Sequence, residues 1–218
     1  LASGKAVYEA ANQTISEMCK RVAKKWQIDP DAVFWDNGYA KPAGPNAGDF
    51  SPISIKQIAA EMDQTGGPIA GHHEASIRGV GHSFGVHIAD VEVDPETGFV
   101  QVVRYSVVDD FGNLINPMLA EGQVHGGVAQ GIGQALYEHV VFDKEGQLLT
   151  ATFMDYGMPR AQDLPYYKFE TECVPSTANI MGMKGCGEAG TVGTLAAVAN
   201  AVQDALWEIG IQQVDMPF

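Results

Sequence analysis

Apolar residues near the start of the chain recur at helical spacing. Ala11, Ile15, Met18 and Val22 are separated by four, three and four positions, which puts them on one face and predicts an amphipathic helix. Asp29-Pro30 closes that region, and Val33 to Ala40, with Asn37-Gly38 in its middle, has the composition of a short hairpin. Lys41 to Ser51 is rich in Pro, Gly, Asn and Ala and reads as a loop. Ser54 followed three residues later by Gln57 is a capping-box signal for a second helix. Ile55, Ile58, Ala59 and Met62 are its expected buried stripe. Thr65 to His82 is glycine-rich and aperiodic, so it is expected to be connecting chain.

The pattern then switches to strands. Val86 to Val93 and Phe99 to Val108 alternate or run apolar, and Asp94-Pro95-Glu96-Thr97-Gly98 between them is strong turn chemistry, which predicts a hairpin. A long helix is predicted from about Met118 to His139. Short strands follow near Val140 to Phe142, Leu148 to Phe153 and Tyr167 to Glu172. Leu195, Val198, Val202, Leu206 and Ile209 mark a last amphipathic helix. Helices and hairpins alternate without regular βαβ units, so the expected class is α+β, with helices packed on antiparallel hairpins. The whole chain reads as one domain piece, divisible into lobes of about 1–115 and 116–218.

Composition narrows the function classes. The 218 residues are 45% hydrophobic, ordinary for a globular protein, and carry a net charge of -14. That charge repels phosphate backbones, so nucleic acid is not an expected partner. Lys20, Arg21, Lys24 and Lys25 form one basic cluster, which reads as a solvated helix face. No apolar run approaches the roughly 18 residues of a membrane span, and a cytoplasmic location without membrane attachment is the expectation. Cys19, Cys173 and Cys186 are odd in number and far apart, which signals neither a disulfide framework nor an iron-sulfur site. None of the histidines has the paired spacing that aims two ligands at a metal, so no metal ligand is expected among the side chains.

Two segments break local rules. Gly122, Gly126, Gly127, Gly131 and Gly133 all fall within the predicted long helix, where each costs roughly 1 kcal/mol against alanine. Close helix packing and close approach to a ligand would each account for them, with Gln123 and Gln130 as amide hydrogen-bonding groups in the second case. Met181 to Gly193 places glycines and one carboxylate, Glu188, just ahead of the last helix. Gly185-Cys-Gly-Glu-Ala-Gly190 within it matches the dinucleotide fingerprint, but that motif needs a preceding strand and a βαβ unit, and Ala178 to Lys184 is a poor strand. Glu188 is either a first-turn carboxylate stabilised by the helix dipole or a general base in a glycine-lined pocket. Spacing leaves both readings open.

The order of motifs along the chain carries a family resemblance. Gly4-Lys-Ala-Val-Tyr-Glu-Ala-Ala11, Phe84-Gly-Val-His-Ile-Ala-Asp-Val-Glu-Val-Asp94 and Asn116-Pro117 come first. Glu121-Gly-Gln-Val-His-Gly-Gly-Val-Ala-Gln-Gly-Ile-Gly133, Phe153-Met-Asp-Tyr156, Lys184-Gly-Cys-Gly-Glu-Ala-Gly190 and Asp215-Met-Pro217 follow. Together they resemble the C-terminal half of the molybdopterin-binding subunit of xanthine oxidase family hydroxylases, in the carbon monoxide dehydrogenase and aldehyde oxidase-like branch. The resemblance implies a molybdenum-pyranopterin cofactor and assigns Glu188 as the catalytic base. It implies Gln123 as the main cofactor ligand, with Gln130, Gly131, Gly185, Cys186 and Gly187 as further cofactor-binding positions. Phe84 and Gly85 fall in a cofactor-proximal stretch.

The same resemblance implies hydroxylation of an aldehyde or N-heterocycle, or oxidation of carbon monoxide, with oxygen drawn from water. Electrons would leave through the pterin to [2Fe-2S] clusters and FAD on partner domains or subunits. The N-terminal part of the molybdenum subunit is then also an expected partner, because it supplies other cofactor ligands and much of the substrate pocket. The chain is thus expected to be a fragment of a larger subunit or one half of a divided one. A non-catalytic interaction fragment of such a complex is the alternative.

Overall fold

The computed structural model describes residues 1–76, 79 and 81–218. Its compact units are Leu1–Ile77 and Arg78–Phe218. The division falls well upstream of the boundary near residue 115 expected from the sequence. The physical reason is that the hairpin beginning at Phe84 shares its core with the two long helices that follow it, so it cannot belong with the first helix.

In the first unit, α1 (Ala2–Trp26) ends at Gln27, whose left-handed backbone (φ 57°) terminates the helix. Met18, Cys19, Val22 and Ala23 pack against Val33, Ala40, Ile53 and Ile58, while Ala11 at the other end of the expected stripe is exposed. The basic cluster is partly neutralised within the chain: Arg21 pairs with Glu17 at 3.1 Å and Lys25 with Glu61 at 2.7 Å. Strands β1 (Val33–Asp36) and β2 (Tyr39–Pro42) form the predicted hairpin. Asn37 and Gly38 both take positive φ, 47° and 83°, the paired left-handed geometry that matches strand twist.

Strand β3 (Ile53–Ser54) adds antiparallel to β2, and Ser54 and Gln57 close a reciprocal capping box on α2 (Ile55–Ala60). The expected single helix is interrupted at Glu61 and resumes as the short α3 (Met62–Thr65). Of its expected stripe only Ile58 is buried, and Ile55 is exposed. Ile53, placed by strand pairing, takes the inward position instead. The connecting chain predicted after Thr65 includes residues 77, 78 and 80, which lie outside the described residues.

In the second unit, β4 (Phe84–Val93) and β5 (Val100–Asp110) form the long predicted hairpin. The strand expected near residue 167 exists as β6 (Tyr167–Thr171), but it pairs parallel to β5, giving the order β4-β5-β6. The two other short strands reduce to a single bridge between Phe142 and Leu148. Helices α4 (Pro117–Leu136) and α5 (Ala189–Trp207) cover one face of this sheet. Val124, Val128 and Ile132 of α4 and Val198 and Val202 of α5 meet Val102, Tyr105 and Val107 of β5. Ile209, expected on the last helix, lies beyond its end and is exposed. Among the described residues no helix is long and apolar enough to cross a membrane.

One irregularity in the sheet decides what faces the helices. Asp90 pairs with Arg104 and Val91 with Val102, so Val103 is an extra residue in β5. This bulge shifts the alternation, and the inward residues run Val100, Val102, then Tyr105, Val107 and Asp109.

Replacing Ser54 by alanine removes one half of the capping box. A loss of about 1 kcal/mol is expected, read as a lower urea midpoint with an unchanged slope.

Candidate functional site

The second unit contains a cavity of about 470 Å³ between the start of β4, the end of β5 and the start of α5. Its lining includes Phe84, Gly85, His87, Asp109, Gly185, Gly187, Glu188 and Gly193. The segment leading into it is tied to the end of β5. Lys184 N–H donates to Phe111 O at 2.8 Å, and Asn113 N–H donates to Gly182 O at 2.9 Å. The Lys184 ammonium pairs with the Asp110 carboxylate and lies 5.6 Å from the centre of the Phe84 ring. Burial by itself would raise the Asp110 carboxyl, but Lys184 and the Gly112 and Val174 amides outweigh it and hold the group below the usual carboxylate range. The chain before Gly185 carries no strand, since β6 ends at Thr171. The dinucleotide fingerprint therefore lacks its structural context.

Glu188 is the N-cap residue of α5 and makes no side-chain capping bond; its side chain is exposed on the cavity wall. Immediately before it, the Gly187 carbonyl accepts a 2.7 Å hydrogen bond from Gln123 Nε2 of α4. One turn into α5, Thr191 Oγ1 donates to Gly127 O at 3.1 Å and lies 3.4 Å from Gln130 Oε1. Gln123, Gln130, Gly187 and Glu188 are thus brought together along the α4–α5 seam.

The glycines divide into groups with different physical roles. A Cβ at Gly127 would lie 2.9 Å from Gly190 Cα, one at Gly131 would lie 2.6 Å from Thr194 Cβ, and one at Gly190 would collide with the Val124 carbonyl. These are packing glycines. At Gly122, Gly126, Gly185 and Gly187 a Cβ would meet nothing within 4 Å. There the chain's own packing gives no reason for glycine, and the open space fits a group approaching the backbone from outside this chain. A pyranopterin is such a group, and the glycines beside Gln123 and Glu188 leave room for it. Two of the expected cofactor positions fall on the other side of this division: Gly131 is buried behind Thr194, and Cys186 turns toward the apolar core and does not line the cavity.

The cavity floor holds residues that the sequence did not single out as a site. His87 Nδ1 lies 2.7 Å from Tyr105 Oη, which lies 2.8 Å from Thr194 Oγ1, which donates to Gly190 O at 2.6 Å. His87 Nε2 faces Asp109 Oδ1 at 3.6 Å, and the two side chains are 6% and 1% exposed. A Cβ at Gly85 would collide with Asp109, and one at Gly193 with the His87 ring. The available signal was a carboxylate in phase with the buried side of a strand, but the phase is set by the bulge. Burial pushes the Tyr105 hydroxyl up to about 12. Burial likewise raises Tyr167 to about 12. A second cavity, of about 460 Å³, is lined by Tyr137 and residues 153–160, 162 and 163 and contains none of the candidate site residues.

Gly190→Ala is expected to destabilise the fold by roughly 1–3 kcal/mol, as overpacking does. Gly126→Ala should be neutral or stabilising, by up to about 1 kcal/mol, through helix propensity; paired denaturation curves check both. Tyr105 and Tyr167 ionise more readily unfolded, near pH 10. Their stabilisation is therefore fully present below about pH 10 and is lost as pH rises toward about 12. A phenolate absorbance titration should show these two tyrosines ionising last, together with unfolding.

Comparison with known proteins identifies the family. The family described as a molybdopterin cofactor-binding domain matches residues 1–165. The gamma subunit of the 6-hydroxypseudooxynicotine dehydrogenase complex of Paenarthrobacter nicotinovorans is 33% identical over 214 residues, covering 94% of this chain and 26% of that protein. A crystal structure of the Cu,Mo-CO dehydrogenase in its carbon monoxide reduced state superposes with a TM-score of 0.83 at 27% identity, over 95% of this chain and 26% of that one. Quinoline 2-oxidoreductase from Pseudomonas putida 86 gives a TM-score of 0.79 at 30% identity, over 94% and 26% respectively. The chain thus spans about a quarter of the length of these relatives. The motif order, the shared fold and the family match over most of its length agree, and the chain belongs to the molybdopterin cofactor-binding domain family.

Proposed function

We propose that this chain forms one wall of the molybdenum-pyranopterin site of a xanthine oxidase family oxidoreductase, with Glu188 as the general base. The observation that carries the reading is the placement of Glu188. It caps α5 without a capping bond and lines a cavity beside glycines whose Cβ positions are open. When bound, the cofactor supplies the redox chemistry by which oxygen from water is inserted into the substrate. Glu188 accepts the proton released as the oxygen nucleophile forms, the task of a general base. The amides of Gly185 and Gly187 supply donors on the same wall, next to the N-terminus of α5, where partial positive charge favours electron-rich ligand atoms.

Gln123 acts in two directions on this reading. Its Nε2 holds the Gly187 carbonyl, which fixes the turn preceding Glu188, and its remaining amide valences serve the cofactor. Gln130 serves the cofactor from two turns further along α4. Gly131 and Cys186 support the wall from behind.

The remaining wall, and the substrate pocket with it, belongs to the N-terminal part of the molybdenum subunit. Phe84, Val86 and Ile88 are exposed along one face of β4, apolar surface that supports a covering partner. The [2Fe-2S] and FAD groups that take the electrons sit on partner domains or subunits. An N-heterocycle or aldehyde is the proposed substrate class, with carbon monoxide as the remaining member.

The test uses the assembled complex, purified gently and analysed for molybdenum. Glu188→Gln is expected to keep its molybdenum and lose turnover by roughly 10²-fold or more, the scale of general-base catalysis. Gln123→Ala is expected to lose cofactor content. Full turnover in a molybdenum-loaded Glu188→Gln complex would withdraw the base assignment.

A further inference from the structure

The polar chain beneath the cavity has a direction that can be derived by counting protons. Thr194 Oγ1 lies 2.6 Å from the Gly190 carbonyl, which can only accept, so the threonine proton goes there. Thr194 therefore accepts at its 2.8 Å contact with Tyr105, and the tyrosine spends its single proton on that bond. Tyr105 must then accept from His87 at 2.7 Å, which places a proton on His87 Nδ1.

In a neutral imidazole the other nitrogen, Nε2, would carry a lone pair. It faces Asp109 Oδ1 at 3.6 Å, with both side chains buried. Asp109 Oδ2 has no hydrogen-bond partner among the described residues. A carboxylate facing an imidazole lone pair where both side chains are buried is costly. Placing one more proton between the two groups removes the clash, whichever of them carries it. The opposite direction, Thr194 to Tyr105 to His87 Nδ1, leaves the Gly190 carbonyl and the Thr194 oxygen 2.6 Å apart with no proton between them.

We infer that His87 and Asp109 hold one proton between them, which makes the pair electrically neutral and leaves Glu188 as the single net charge among the described residues of the cavity lining. Among the described residues, His87, Asp109 and Glu188 are the only strongly ionisable side chains of that lining. Tyr105 on β5 and Asp109 beside it face the imidazole from the sheet, while α5 presents Thr194 and Gly193. His87 is thereby a positioning residue. Its orientation is fixed from the Asp109 side, and its Nδ1 proton anchors a chain that ends at Gly190, two residues past Glu188. The inference stands on the hydrogen bonding of this chain and does not require the proposed oxidoreductase reading.

Ring-nitrogen NMR of the intact protein labelled with ¹⁵N-histidine and ¹³C-aspartate tests it, with the His87 signals identified by their loss in His87→Gln. At neutral pH, Nδ1 should be protonated, and one further proton should appear either on Nε2 or on the Asp109 carboxyl. In Asp109→Asn, whose amide can donate to Nε2, Nε2 should lie in the acceptor range, whichever group held the shared proton before, while Nδ1 keeps its proton. A bare Nδ1 in the wild-type protein would overturn the direction of the chain. A protonated Nδ1 with neither Nε2 nor Asp109 protonated would overturn the shared proton. The wild-type spectrum decides both even if the asparagine variant fails to fold.

Discussion

Helices α4 and α5 approach so closely that Gly127 and Gly190 touch backbone to backbone, and a methyl group at either would collide with the opposite helix. That contact fixes where α5 begins relative to α4. It follows that Gln123 reaches the Gly187 carbonyl and that Thr191 reaches Gly127. Glu188 gains its position from this seam, since it precedes the first turn of α5. Several interior glycines each cost a helix roughly 1 kcal/mol, and burial along the seam offsets part of that cost.

The other glycines serve a different constraint. Open space at Gly122, Gly126, Gly185 and Gly187 lies where the chain's own packing is silent. Between the two sets stands a wall that is rigid behind and bare in front, suited to hold a flat polar group against backbone amides. Its lower edge is pinned from the sheet by the Lys184–Asp110 pair and the bonds from residues 182–184 to 111–113. Its floor is polar, buried and connected to the same helix through Thr194. Seam, anchor and floor therefore converge on the few residues around Glu188.

Much of this was legible in local patterns. The Asn37-Gly38 turn, the Ser54 and Gln57 capping box, the long β4–β5 hairpin and helices α1, α4 and α5 follow from chemistry confined to a few neighbouring residues. The family was readable from the order of its motifs. Features that depend on distant partners were not readable: β6 joins β5 in parallel across some sixty residues, and Ile55 turns outward where the pairing of β3 with β2 sets Ile53 inward. The glycines of α4 could not be sorted into packing and open positions, because only the facing helix tells Gly127 from Gly126.

The sequence by itself determined the three long helices, the two hairpins, the acidic charge and the presence of a carboxylate ahead of the last helix, because each rests on composition or short-range patterns. Only the tertiary structure decided which side chains share a site. The extra residue at Val103 shifts the alternation of β5, and by that shift Tyr105 and Asp109 face α5 and the cavity. A strand's side chains alternate with a period of two, so one inserted residue exchanges its faces. Whether such a residue bulges is settled by pairing with the neighbouring strand, which no local stretch of sequence contains.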